Sequence, residues 1–190
     1  MLLGLVLVLS GCSIPPMQYN LPASGDFPEI EKKQNIPDIE VVDFKYEPPI
    51  KISQHTISLI NCYWCQADGS TQGTVFAKPL DEIIQAELSN ALEEVVISNQ
   101  ESSCSLAGTL HLAGWDYMNG DTTLDMTLVL MKEEQIKFVK RVRGFNDRGF
   151  FEFSNQGGLF TLATRNAVSL LVTDNDFLNE VEKSCTVSSL

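Results

Sequence analysis

The stretch LAGTLHLAGWDYMNGDTTLDMTLVLMKEEQIKFVKRVRGF, residues 106–145, decides the fold. Leu106, Gly108, Leu110 and Leu112 alternate with smaller or polar residues, and Leu124, Met126, Leu128 and Leu130 alternate in the same way. Side chains of a strand point to opposite faces in turn, so each run predicts a strand with one buried face. Asn119-Gly120 between them is a strong hairpin signal. Lys132 to Gln135 reads as a second, charged turn, and Ile136 to Phe145 as a third strand. The three together predict an antiparallel meander.

Helical periodicity flanks the meander on both sides. Upstream, Leu80, Ile83, Ile84, Leu88, Ala91, Leu92 and Val95 repeat at 3.6 spacing, broken only by Glu87. Pro79 fits the first helical position, and Asp81 and Glu82 suit the positive end of the helix dipole. Downstream, Phe160, Ala163, Ala167, Leu170, Leu171, Asp174, Phe177, Leu178 and Val181 mostly share one stripe, which reads as a second helix. The run Thr173-Asp174-Asn175-Asp176 can break it and cap a final short helix. Lys51 to Ile60 reads as a strand before the first helix, and CYWCQADGSTQG, residues 62–73, as loop. The expected fold is α+β: an antiparallel or mixed sheet with two helices packed on one face, in the order β-α-β-β-β-α.

Composition narrows the partners. The chain has 190 residues, 44% of them hydrophobic, enough for one domain with a sizeable core. Its net charge is −12, from 25 acidic and 13 basic residues, which repels phosphate backbones, so nucleic acid is not an expected partner. Lys132, Lys137, Lys140, Arg141, Arg143 and Arg148 are clustered. Such a run protects a strand edge from pairing with other sheets, or binds an anion.

Residues Leu2 to Leu9 are apolar and uncharged, too few for the roughly 20 helical residues that span a bilayer. An apolar run of this length that ends in small residues predicts a secretory signal peptide. Here it leads into Leu9-Ser10-Gly11-Cys12, which resembles the bacterial lipobox. The resemblance implies cleavage before Cys12 and acylation of that cysteine, with several acyl chains giving a stable anchor. Ser13 lacks the Asp that tends to hold lipoproteins at the inner membrane, which implies outer-membrane attachment facing the periplasm. Seven of the eight prolines fall between Pro15 and Pro49. The expected organisation is a signal peptide at 1–11, an extended Pro-rich tether at 12–49 and a periplasmic domain at 50–190. Ile39 to Tyr46 could add one short edge strand.

In layout, Lys51 to Leu178 resembles the YajG-type periplasmic lipoproteins. More loosely it resembles the auxiliary lipoproteins of lipid-transporting ABC systems and the lipopolysaccharide-assembly lipoprotein. The segment RVRGFNDRGFFEFSNQGGLFTLATRNAVSLL, residues 141–171, carries the likeness. These families imply an envelope protein as partner and bring no catalytic residues.

With Cys12 given to lipid, four cysteines remain, an even number in an oxidising compartment, with three pairings open. The favoured one joins Cys62 to Cys65 and Cys104 to Cys185. Cys62-Tyr63-Trp64-Cys65 also admits thiol–disulfide exchange, or zinc with His55 or His111. Exchange usually needs a helix start after the motif, and zinc needs a second ligand pair. Sequence motifs for a serine hydrolase, a zinc protease, a P-loop or a dinucleotide site are absent, so neither a catalytic residue nor a cofactor is expected. Asp116 to Asp121 has the composition of a calcium loop with the wrong acid spacing, and reads as a turn.

Phe150, Phe151 and Phe153 beside Arg148 form a Gly-flanked aromatic cluster, a candidate partner or lipid contact. The expected function is a membrane-anchored, non-catalytic accessory or adaptor in envelope biogenesis or lipid transport. The rivals are a thiol–disulfide exchange protein using Cys62 and Cys65, and a small-ligand or lipid carrier.

Overall fold

A computed structural model describes residues 16–21, 30, 33–48, 52–60, 75–97, 101–116, 118–146, 158 and 160–185. Its elements run β1 (Asp38–Tyr46), β2 (Ser58–Ile60), α1 (Leu80–Val95), β3 (Glu101–Asp116), β4 (Thr122–Lys132), β5 (Gln135–Asn146), α2 (Thr161–Val172) and α3 (Asn175–Ser184). The fold is α+β with a mixed sheet. The two-helix order β-α-β-β-β-α is corrected by the third helix and by a strand that precedes residue 50.

The third helix has a local cause. Asp174 leaves the helical conformation, and its Oδ1 accepts from the backbone N–H groups of Asp176 at 2.8 Å and Phe177 at 3.1 Å. These two amides would otherwise be orphaned at a helix start, so the carboxylate begins a new helix instead of letting α2 continue.

The meander forms as its alternation predicts. β4 pairs antiparallel with β3 on one side and β5 on the other. Leu124, Met126, Leu128 and Leu130 are all fully buried on the helix-covered face. In the β3–β4 connection, Asp116 Oδ1 accepts from the N–H groups of Met118 and Asn119, and Gly120 supplies the left-handed residue at φ 79°. The β4–β5 turn places Glu133 (φ 49°) and Glu134 (φ 65°) in left-handed conformations, the twist that lets two residues close a hairpin.

β1 runs parallel to β3 and forms an edge of the sheet. Pro37 and Pro48 stand just outside it, so the sheet loses no hydrogen bond to proline. Ile39, Val41, Phe44 and Tyr46 are buried beneath α1. The step from Val41 to Phe44 is odd, and a bulge with Asp43 at φ 47° returns both side chains to the same face. The stretch 12–49 is therefore no free tether over its described part: Tyr19, Ile30 and Ile36 also enter the core. Fully burying each such side chain contributes about 1.5–3 kcal/mol, which offsets the cost of ordering an irregular segment.

β2 is shorter than the predicted Lys51–Ile60 strand, because residues 54 and 55 form a turn that holds the backbone ahead of α1. There Leu80 N–H donates to the Gln54 carbonyl at 2.8 Å and Phe76 N–H to the His55 carbonyl at 2.7 Å. His55 is consequently in a turn and not a strand. Pro79 is the residue before α1, not its first helical position. All three helices lie on one face of the sheet, α1 over β1 and α2 over β5, with α1 and α2 in contact. β5 is the other edge. Arg141 crosses from it to Asp125 with two hydrogen bonds, and Lys140 pairs with Asp174, in keeping with a charged, protected edge.

Candidate functional site: a buried carboxylate that clamps the N-terminal strap

Glu87, the one residue that breaks the apolar stripe of α1, is 2% exposed. Burying a carboxylate is costly unless its oxygens find donors. Glu87 Oε1 accepts from the Tyr19 hydroxyl in a short hydrogen bond and from Thr161 Oγ1 at 2.8 Å. One oxygen thus joins α1, the start of α2 and the strap at 16–21.

The aromatic ring of Tyr19 completes the clamp. It packs edge-on against Phe76, with centroids 6.1 Å apart, and at a tilt against Phe160 at 5.6 Å, while Phe76 and Phe160 meet at 5.6 Å. Aromatic pairs in these geometries add about 0.5–1.5 kcal/mol beyond area burial. The backbone contributes as well: Met17 N–H donates to the Val75 carbonyl at 2.7 Å, and Ala77 N–H donates to the Met17 carbonyl at 2.9 Å. Two turns further along α1, Glu94 pairs with Arg165 of α2.

Burial pushes the Glu87 carboxyl above the usual carboxylate range, against the pull of hydrogen bonds from Tyr19 and Thr161 and the nearby charge of Arg165. Burial, followed by the neighbouring Glu87, also raises the Tyr19 phenol. The unfolded chain ionises Glu87 at its ordinary pKa and the folded chain only at a higher one. The group's contribution to stability is therefore full below the ordinary carboxylate pKa and declines as pH rises toward the raised one. Glu87→Gln keeps a carbonyl oxygen for both hydroxyls and cannot ionise. We expect the variant to melt above the natural protein at pH 8, with the gap closing below pH 4, by calorimetry across pH. A gap that does not change with pH would contradict this protonation account.

The cluster holds a strap in place. Its groups are two hydroxyls on one carboxylate oxygen, and among the described residues no thiol or imidazole is bonded to it. His55 Nδ1 lies 3.1 Å from the Phe76 carbonyl, and His111 Nε2 lies 2.8 Å from Thr127 Oγ1. Among the described residues there is no group of three or more potential metal ligands, and no helix long and apolar enough to cross a membrane.

Of the cysteines, Cys104 and Cys185 form a disulfide, joining the start of β3 to the residue after α3 as the favoured pairing expected. Ser103 N–H donates to the Cys185 carbonyl at 3.2 Å beside it. Cys12, Cys62, Cys65, Arg148, Phe150, Phe151 and Phe153 lie outside the described residues, as does the proposed signal peptide at 1–11. The strands that lead toward the CYWC and RGFFEF segments, β2 and β5, both end beside the β3–β4 turn: Ile60 is level with Asp116, and Asn146 with Thr122. Sequence reasoning missed Tyr19 and Thr161 as partners of Glu87. The only local signal was a single charged residue inside an apolar stripe.

No family model matches the chain, and no curated protein matches it. Solved structures do. Protein XCC0632 from Xanthomonas campestris, described by the family model DUF330, is similar at 11% identity and a TM-score of 0.54, covering 89% of this chain and 99% of that one. An uncharacterized protein is similar at 15% identity and a TM-score of 0.43, covering 75% and 97%. A PelC dodecamer from Paraburkholderia phytofirmans gives 10% identity and a TM-score of 0.29, covering 70% and 92%. The likeness to the Xanthomonas protein is one of fold alone: this chain shares, distantly, the architecture of a DUF330 domain.

Proposed function

We propose that this chain is a lipoprotein, anchored through acyl chains on Cys12 and facing the periplasm from the outer membrane. Its domain would serve as a non-catalytic accessory or adaptor in cell-envelope biogenesis or lipid transport. The observation that carries the reading is the position of Leu9-Ser10-Gly11-Cys12. It lies five residues ahead of Met17, the first residue with described backbone bonds into the domain. Cleavage before Cys12 would leave every one of those bonds in place. The Cys104–Cys185 disulfide supports the reading, since such bonds persist in oxidising compartments. Arg148, Phe150, Phe151 and Phe153, just after β5, are the proposed contact with an envelope partner.

Fractionation of cells carrying Cys12→Ser tests the anchor. The natural protein is expected in the membrane fraction and the variant in the soluble periplasm; unchanged membrane association of the variant would overturn the reading. Crosslinking followed by mass spectrometry then identifies the partner.

A further inference from the structure

We infer that the anchor is a short leash that holds one end of the domain against the lipid bilayer. The contact surface is the end carrying the strap, the β3–β4 turn and the starts of α1 and α2. This rests on the lipoprotein reading above and adds an orientation and an interaction surface to it.

The argument is one of lengths. From Cys12 to Met17 there are five residues, and a fully extended chain covers at most about 3.6 Å per residue, so the lipid lies at most roughly 18 Å from the clamped strap. A compact domain of this size is on the order of 40 Å across. A leash shorter than half the domain keeps the strap end beside the membrane in every orientation, whereas the far end reaches it only when the domain lies on its side. Were residues 12–49 free, about 130 Å of chain would allow any orientation. The clamp of Met17, Tyr19 and Glu87 removes that freedom.

The strap's place in the fold selects the end. Met17 bonds to Val75 and Ala77, and the Phe76 ring packs at a tilt against Phe160, which precedes α2. A Cβ on Gly144 would meet the carbonyl of Ala163, so the first turn of α2 lies beside the last residues of β5. β5 ends level with the start of β4 and hence with the β3–β4 turn. Val75 (45% exposed), which bonds to Met17, borders the strap, and Met118 (61%) tops the turn. These are the apolar side chains presented to the bilayer. Asp81, Glu82, Asp116 and Asp121 stand at the same end, so the leash and not charge attraction keeps it there. Ile97, as exposed as Met118, sits at the opposite end, just before β3 begins.

Photo-crosslinking of the full-length acylated protein in phosphatidylcholine vesicles with clickable acyl chains tests this. The photoreactive residue p-benzoyl-phenylalanine replaces Met118 in one protein and Ile97 in another, both exposed positions. We expect at least fivefold more lipid adduct from position 118. Inserting 30 Gly-Ser residues between Ser13 and Ile14 should equalise the two while leaving the protein vesicle-bound. Equal yields with the natural leash, or a ratio unmoved by the insertion, would overturn the inference. Mass spectrometry of the N-terminal peptide reads the anchor separately: Cys12 without acyl chains would overturn the lipoprotein reading and the inference with it, whereas acylated Cys12 with equal yields overturns the orientation alone.

Discussion

Replacing Cys104 and Cys185 with serine, or reducing the bond between them, is expected to lower the melting temperature by roughly 10 °C. The bond spans a sequence separation of 81 residues. On the chain-entropy model, closing a loop of that length restricts the unfolded ensemble enough to contribute about 4 kcal/mol, and each kcal/mol moves the midpoint of a chain this size by about 2–4 °C. The bond also has a local role. α3 is otherwise held by Phe177 against Phe138, by the Lys132 ammonium donating to the Ser184 carbonyl, and by Lys140 on Asp174. Without the disulfide, α3 should be the first element to open. Hydrogen exchange in the reduced protein should show its amides losing protection before those of β4. A midpoint that falls by less than 2 °C on reduction would mean that these contacts already restrain the chain end fully.

What was legible in the sequence is what is local. The meander, α1 and the cap at Asp174 each depend on residues a few positions apart, where alternation, 3.6 spacing and turn chemistry act. The β1–β3 pairing joins residues more than 60 apart, in parallel, so no hairpin turn announces it. The prolines on either side made its host segment look like a tether, although proline excludes only its own position from a ladder. Glu87 was conspicuous as a fault in an apolar stripe, but its donors lie 68 and 74 residues away and each is unremarkable in its own surroundings. The Cys104–Cys185 pairing was within reach because both ends lay on elements that could be placed. The Glu87 site depended on a strap that could not.

Gly144→Ala is expected to cost about 3 kcal/mol, the upper part of the range for forcing extra volume into a packed contact. An ideal Cβ at Gly144 would stand 2.0 Å from the Ala163 carbonyl oxygen and 2.9 Å from its carbon. Both are backbone atoms of the first turn of α2, so no rotamer change relieves the overlap. The helix itself must move away from β5. Ala163 and Ala167, both fully buried, are the small residues that let α2 approach this closely, and Asn166 fixes the distance by accepting from the Phe145 N–H at 3.0 Å. Adding Ala163→Gly should therefore fail to rescue the variant, since the carbonyl remains, whereas a side-chain clash would be relieved. Arg143→Ala, next to it but facing solvent, should change stability by less than about 0.5 kcal/mol. Urea denaturation of the four proteins checks these outcomes. The displacement has a second consequence, because Phe160 and Thr161 at the start of α2 hold Tyr19 and Glu87. The amides of Met17 and Ala77 should exchange faster in Gly144→Ala even in conditions where the domain stays folded, reporting that the clamp on the strap has loosened. Protection at those two amides equal to that of the natural protein would separate the strap from the α2–β5 contact and show that α1 and the segment around Phe76 hold it without α2.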